Sequence, residues 1–203
     1  MDKYIEIFTL VAGVVYVILE IRQKNFMWVL GILTSLASMW LFYVKGAYAS
    51  FALNLYYLVT AFIGLWQWRR DVSALGKVQD APTEERIRIR RLDLKTAFMG
   101  LLAVVAIAFV LSYGMDWLHG AGILNENPMS WLDASIAAVS MVATWWLVRS
   151  YLEQWWLWIA ANLMSMVFCV VCGMWWMAFL YAIYAAASMV GLRHWKKCGY
   201  AID

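Results

Sequence analysis

The sequence predicts an all-α integral membrane protein with seven transmembrane helices in a 3+1+3 parallel-repeat arrangement. Of its 203 residues, 65% are hydrophobic and only 14% are charged, whereas a soluble domain is about half apolar and about a quarter charged. Gly46–Trp68 and Thr96–Met115 carry no charged residue. Each stretch is long enough to cross a hydrocarbon core of about 30 Å at about 1.5 Å per residue.

The second observation is an internal repeat, because residues 4–70 recur as residues 131–197 without any gap. Charged, aromatic and glycine positions all keep register under a shift of 127 residues. The matched pairs include Glu6 and Asp133, Arg22 and Arg149, Trp28 and Trp155, Ser38 and Ser165, Gly46 and Gly173, Tyr57 and Tyr184, Gly64 and Gly191, and Trp68 and Trp195. Many transporters build a substrate path from such paired membrane repeats.

The charge-poor windows predict seven spans, at residues 4–21, 26–44, 47–68, 95–114, 131–149, 154–172 and 174–193. Gly46 and Gly173 are expected to supply the two tight turns within the repeats. The chain thus divides into a first three-helix repeat (1–70), a basic cytoplasmic linker (71–94), a connector helix with an outer loop (95–130) and a second repeat (131–203). Four crossings separate span one from span five, which predicts that the repeats are parallel.

The Lys and Arg residues predict the orientation. With the amino terminus outside and the carboxyl terminus cytoplasmic, all 16 of them except Lys3 and Lys45 lie in inner segments. The net charge of +3 is therefore a topology signal and does not indicate nucleic-acid binding. The basic stretch Arg86–Arg91 is expected to lie in the inner loop and to contact anionic lipid.

Polar and aromatic side chains deep in the spans are the candidate site residues, since a bilayer leaves such groups to be satisfied by protein or ligand. They share helical faces: Asn54 and Tyr57 in span three, Trp155, Trp158, Asn162 and Ser165 in span six, and Tyr181, Tyr184 and Ser188 in span seven. Aromatic walls and amides without fixed charge suit a small cationic aromatic substrate, held by cation–π attraction of about 2 kcal/mol or more. Most other Trp and Tyr residues are expected to be interfacial anchors.

Several function classes lack the residues they need. The chain has no G-x-x-x-x-G-K-S/T phosphate cradle and no carboxylate in mid-span, so facilitated diffusion is the simplest mechanism left. We expect no catalytic residues, no metal site and no cofactor, and we interpret Cys169 and Cys172 as packing residues. Two alternatives stay open: a membrane enzyme using His119 and Asp116, and a subunit that docks an ATPase through the basic loop 69–95.

Three stretches resemble the PnuC family of vitamin transporters, which is best known for nicotinamide riboside uptake. They are Trp28–Ser35 with Tyr48-Ala49-Ser50, then Gly64–Trp68, and then Trp131-x-Asp133 through Trp155-x-x-Trp158-x-x-x-Asn162-x-x-Ser165. The resemblance implies a fold similar to the SWEET sugar transporters, a homotrimer and a place in the bacterial inner membrane. It also implies facilitated diffusion, with an intracellular kinase that phosphorylates the substrate and so keeps its gradient inward.

The same likeness carries over Trp155, Trp158 and Asn162 as ring and ribose contacts, with Asn54 and Tyr57 contributing from span three. Nicotinamide riboside members often have Gln where this chain has Asn54. The Asn-x-Tyr-Tyr pattern of residues 54–57 looks closer to the thiamine-transporting branch of the family. The resemblance therefore implies nicotinamide riboside as substrate, with thiamine as the alternative.

Overall fold

The computed structural model describes residues 13–44, 48–75, 87–122 and 130–201, and these contain seven helices and one small sheet. Helix α1 covers residues 13–21 of the described chain. The elements that follow are α2 (Phe26–Val44), α3 (Tyr48–Leu75), β1 (Ile87–Ile89), α4 (Leu94–Gly120), α5 (Ser130–Val148), α6 (Gln154–Val171), α7 (Trp175–Cys198) and β2 (Gly199–Ala201). The seven helices fall in the order of the seven predicted spans.

Four of the described helices, α4 to α7, are long and apolar enough to cross a membrane, and α2 contains a shorter apolar stretch, Phe26–Trp40. Helices α3, α4 and α7 run past the predicted spans. The extra turns of α7 carry Lys196 and Lys197. A charge-free window ends at the first basic residue, whereas a helix continues because its backbone hydrogen bonds do and long basic side chains can reach the polar headgroups.

The chain divides into two compact units. The first comprises Met1–Arg90, Leu147–Ser150 and His194–Asp203, and the second comprises Arg91–Trp146 and Tyr151–Arg193. In the second unit, α4 begins at the N-cap Asp93, whose carboxylate accepts a hydrogen bond from the Thr96 backbone N–H at 3.4 Å. The Thr96 contact lowers the pKa of Asp93, so the cap is ionised and favourable at the positive end of the helix.

The turns that end α1 and α5 have the same backbone structure at positions 127 residues apart. Lys24 N–H donates to Leu19 O and Gln23 N–H to Glu20 O, as Tyr151 N–H does to Trp146 O and Ser150 N–H to Leu147 O. This pair of backbone hydrogen bonds defines the Schellman motif. Its left-handed residue is Gln23 in one turn (φ 50°) and Ser150 in the other (φ 58°). The internal repeat is therefore visible in backbone geometry as well as in sequence.

The turn at the end of α6 confirms the prediction for Gly173, which has φ 72°. Its N–H donates to Val170 O at 3.1 Å, and Met174 N–H donates to Cys169 O at 2.8 Å. Glycine adopts this left-handed conformation without steric cost. The equivalent prediction for Gly46 lies outside the described residues.

Each repeat packs a buried tryptophan against a glycine of its third helix. A Cβ atom added to Gly64 would lie 2.5 Å from Cζ2 of Trp28, and one added to Gly191 would lie 2.4 Å from Cη2 of Trp155. Trp28 and Trp155 are each 1% exposed. The absence of a side chain on both glycines lets α3 approach α2, and α7 approach α6, closely enough for the indole to lie on the helix backbone.

The strand β1 lies inside the segment predicted as a basic linker, and the sequence analysis did not predict it. It pairs in parallel with β2, with Arg88 opposite Tyr200. On its other edge, the Gln23 amide accepts from Arg88 N–H at 2.7 Å and donates to Arg88 O at 2.8 Å. The side chain of Gln23 thus takes the place of a neighbouring strand and satisfies an otherwise open strand edge.

Arg88 is 4% exposed, and its guanidinium donates from Nη1 to the carbonyl oxygen of Trp68 at 2.8 Å. Burial lowers the pKa of Arg88, and Asp71 opposes that shift. Arg90 follows in the chain, where its N–H donates to Ser150 O at 2.9 Å and its Nη2 lies 3.6 Å from Asp71 Oδ2. The segment after β1 is therefore held by side chains and turns from both repeats.

Candidate functional site

Helix α6 carries the polar side chains that the sequence analysis placed at mid-depth. Asn162 is 9% exposed, and its Nδ2 donates to Ser188 Oγ of α7 at 3.3 Å. Ser188 Oγ in turn donates to the carbonyl oxygen of Tyr184, one turn earlier in α7, at 2.8 Å. This chain of contacts fixes the amide of Asn162 on the face that α6 presents to α7 and leaves its Oδ1 outside these two bonds.

Trp158 lies one turn from Asn162 on the same face, at four-residue spacing. Its side chain is partly buried. The indole Nε1 is fully buried, and it has no hydrogen-bond partner among the residues that the structure describes. An indole N–H can only donate, so this group is a buried donor that an acceptor on a ligand could satisfy.

Trp155 belongs to the same predicted stripe, but its indole is packed on the backbone of α7 at Gly191. A separation of three residues turns the helix by about 300°, so Trp155 and Trp158 point about 60° apart. The structure thus gives Trp155 an architectural contact that its repeat equivalent Trp28 shares. Its role as a ring contact stays a prediction.

Tyr181 and Tyr184 are partly buried neighbours on α7, with ring centroids 6.3 Å apart in an edge-on arrangement. They lie in the same unit as Trp158 and Asn162. Asn54 and Tyr57 lie on α3 in the other unit and are also partly buried. The five predicted residues of α6 and α7 thus lie on two packed helices of one unit, and the two residues of α3 belong to the other unit.

The two repeats have the same residues at their helix-packing positions but different residues on the polar face. The positions that build the helix contacts are identical: Trp28 and Trp155, Gly64 and Gly191, Trp68 and Trp195. The positions on the polar face differ: Gly31 stands where the second repeat has Trp158, Ser35 where it has Asn162, and Ala61 where it has Ser188. Since both repeats form the same tryptophan–glycine contact, that contact does not require Trp158, Asn162 or Ser188.

Gln154, the first residue of α6, is not among the site residues predicted from the sequence. Its side chain is 0% exposed. It lies one turn before Trp158, about 40° from it around the helix. Neither Nε2 nor Oε1 has a hydrogen-bond partner among the described residues. A difference between the repeats could have revealed it, because the equivalent position holds Met27.

Metal binding was not expected from the sequence, and the described residues contain no group of three or more His, Cys, Asp or Glu side chains that could hold an ion. Cys169 is buried and Cys172 is exposed, and both are free thiols. Asp116, one of the two residues of the alternative enzyme hypothesis, accepts a hydrogen bond from Ser130 Oγ at 3.1 Å.

Three comparisons with known proteins bear on these observations. Residues 3–197 match the family described as "Nicotinamide mononucleotide transporter". A nicotinamide riboside transporter PnuC from Neisseria mucosa is 27% identical over 97% of this chain and 73% of its own length. The nicotinamide riboside transporter PnuC of Escherichia coli is 23% identical, covering 95% of this chain and 85% of its own length.

A transporter with another vitamin substrate is also similar. The riboflavin/roseoflavin transporter RibM of Streptomyces davaonensis is 25% identical over 91% of this chain and 81% of its own length. Among solved structures, the crystal structure of the vitamin B3 transporter PnuC aligns with a TM-score of 0.65 and 24% identity, covering 93% of this chain and 79% of that one. The overall helical fold of that structure is therefore shared.

The family match covers almost all of the chain, and the apolar helices agree with it. The protein is thus a multi-pass membrane protein of a transporter family and not an enzyme. The resemblance inferred from the three sequence stretches is confirmed: the chain belongs to the PnuC family of membrane transporters.

Proposed function

We propose that this protein takes up nicotinamide riboside by facilitated diffusion across the bacterial inner membrane. The observation that carries the proposal is the α6 face, where Trp158 offers a buried indole N–H and Asn162 a fixed amide. The substrate has a flat cationic ring, hydroxyl groups and a carboxamide. Indole and phenol rings attract the cation, and amides pair with hydroxyls and with the carboxamide.

The proposed site consists of Trp158 and Asn162 as central contacts, with Tyr181 and Tyr184 as aromatic neighbours. Trp155, and Asn54 and Tyr57 from α3, stay proposed contacts on the strength of the family likeness. Two relatives that transport nicotinamide riboside support the substrate class. A riboflavin/roseoflavin transporter is also similar to this chain, and its substrate has a different ring system.

In this proposal, net transport is inward because the substrate is phosphorylated after it enters the cell and can no longer leave. An intracellular kinase phosphorylates the substrate, and the product no longer fits a site without fixed positive charge. The amino terminus lies outside and the carboxyl terminus in the cytoplasm, as the distribution of Lys and Arg favours. The protein is proposed to be a homotrimer in contact with lipid. The exposed apolar residues of α4, such as Val110 at 71% and Phe109 at 59%, are consistent with a surface covered by lipid or by another copy.

Thiamine is the second candidate substrate, and the specific observation in its favour is the Asn54-x-Tyr56-Tyr57 pattern in α3. Thiamine is also a cationic aromatic molecule without phosphate. Its aminopyrimidine presents a donor and an acceptor side by side, as a carboxamide does. The α6 face therefore suits both molecules, and Asn54 is the position at which they are expected to be distinguished.

A side-by-side binding titration of the purified protein tests this assignment. We expect nicotinamide riboside to bind saturably at one site per chain, and thiamine to bind at least about tenfold more weakly, a difference of about 1.4 kcal/mol. Isothermal titration calorimetry in detergent measures both. Tighter binding of thiamine would reverse the assignment within the same family, and binding of neither would reject the proposed site.

A further inference from the structure

Gln154 has a fully buried amide whose oxygen and nitrogen both lack a hydrogen-bond partner among the described residues. Burying an amide without hydrogen bonds is unfavourable, because its interactions with water are lost and nothing replaces them. Native structures contain few such groups, and each calls for an explanation. Among the described residues, Gln154 is one of the largest side chains with less than 2% exposure, so a hydrogen bond to bulk water does not explain how its amide is satisfied.

The first repeat shows that the fold does not need an amide at this position. The repeat equivalent, Met27, is also 0% exposed. The backbone is bonded in the same way at both positions, because Met27 N–H donates to Lys24 O and Gln154 N–H donates to Tyr151 O. Methionine and glutamine have nearly the same length and shape. The same local structure is therefore built once with an apolar side chain and once with a polar one.

The position of Gln154 on α6 links it to the proposed site. Gln154 precedes Trp158 by four residues, which places the two side chains about 6 Å apart along the helix axis and about 40° apart around it. Gln154 and Trp158 both carry buried polar atoms that have no hydrogen-bond partner in the described part of the chain. These two neighbouring groups together offer N–H donors and one amide oxygen acceptor to a ligand.

We propose that Gln154 is a specificity-determining contact that pairs with the carboxamide of the substrate on the amino-terminal side of Trp158. The inference rests on the proposed function and deepens it. A primary amide is self-complementary with a carboxamide: its N–H donates to the substrate carbonyl, and its oxygen accepts from the substrate N–H. The flat ring then lies beside Trp158, and the ribose hydroxyls extend toward Asn162.

The test compares two ligands on two proteins. The ligands are nicotinamide riboside and the analogue in which a methyl ketone replaces the carboxamide, which keeps the carbonyl and the cation but loses the N–H donor. The proteins are the wild type and Gln154→Met, which installs the residue found at the equivalent position of the first repeat. Binding is measured by calorimetry, and the melting temperature of each ligand-free protein is measured in the same detergent.

We expect the wild type to bind the carboxamide ligand about tenfold or more tightly than the ketone, the effect of one lost hydrogen bond to a buried partner. Gln154→Met should lower affinity for nicotinamide riboside by about tenfold or more and remove most of the discrimination against the ketone. Its ligand-free melting temperature should be equal to or above that of the wild type, because an unsatisfied buried amide has been removed.

Two results would overturn the inference while leaving the proposed function intact: unchanged riboside affinity and discrimination in Gln154→Met, or a marked fall in its melting temperature, which would show that the amide has a structural partner. Failure of the wild type to bind nicotinamide riboside would instead reject the proposed function itself. The three outcomes are distinguishable in one experiment, since the wild-type titration is read before the variant is compared.

Discussion

Trp158→Ala is expected to lower nicotinamide riboside uptake by about thirtyfold, and Asn162→Ala by about tenfold or more. The first change removes a cation–π contact of about 2 kcal/mol, and the second removes the amide that Ser188 holds in place, which costs about 1 to 2 kcal/mol in hydrogen bonds. The double variant should show no uptake above background. Uptake of labelled substrate by cells that depend on the transporter measures all three.

Two matched controls on the same helix make this result specific. Trp156→Ala and Leu163→Ala change exposed residues, with 56% and 45% exposure, and neither lies on the Trp158 face. Both should retain most of the wild-type uptake at equal membrane expression. Full uptake in the double variant Trp158→Ala, Asn162→Ala would show that the substrate passes elsewhere.

Three Gly→Ala replacements are expected to differ strongly in their effect on stability although the chemical change is the same. At Gly64 and Gly191 the new Cβ would lie 2.5 Å and 2.4 Å from an indole carbon of a buried tryptophan. Trp28 and Trp155 are each 1% exposed, so neither ring can move aside without disturbing the helix pair. Overpacking of this kind costs about 1 to 3 kcal/mol, or several degrees of melting temperature for a chain of this length.

Gly114 in α4 is the matched control, because nothing lies within 4 Å of a Cβ added there. Gly114→Ala should leave the melting temperature unchanged or raise it slightly, since alanine favours a helix interior by up to about 1 kcal/mol. Combining Gly191→Ala with Trp155→Leu should recover part of the loss, as expected for two residues in direct contact. Equal melting temperatures for all three glycine variants would contradict the close packing described here.

The internal repeat is the most informative signal in the sequence, and the structure explains why the same residues recur at equivalent positions. Trp28, Gly64 and their equivalents Trp155 and Gly191 form the same helix contact twice, so a change at either member of a pair is costly. Such positions are retained, and they carry the register of 127 residues. The glycine turn at Gly173 was predictable for a related reason, since few other residues adopt its backbone conformation easily.

The β1–β2 pair could not be predicted because its stability comes from distant partners. Strands of three residues have no readable alternation, and the paired residues Arg88 and Tyr200 are separated by about half of the sequence. The role of Gln23 was equally hidden. A glutamine in a left-handed turn gives no sequence signal, although its amide completes the edge of β1.

The candidate site was predictable in outline and imprecise in detail. Spacing placed Trp155 and Trp158 on one stripe, but they differ by a rotation of about 60°. Trp155 packs against Gly191, whereas Trp158 has a buried indole N–H without a hydrogen-bond partner among the described residues. Gln154 could not be predicted as a site residue, because a polar residue at the end of a span has the sequence pattern of an ordinary interfacial residue. Its burial, and its lack of a hydrogen-bond partner in the part of the chain that the structure describes, follow from how the helices pack.

Uptake by the purified protein in liposomes tests most directly whether this chain alone carries a cationic riboside down its gradient. With labelled nicotinamide riboside outside and neither ATP nor partner protein present, we predict saturable entry that stops when the two concentrations are equal. Enclosing a riboside kinase and ATP should convert equilibration into accumulation of the phosphorylated product. Liposomes that stay empty until an ATPase subunit is added, or that concentrate the unmodified riboside, would contradict the account.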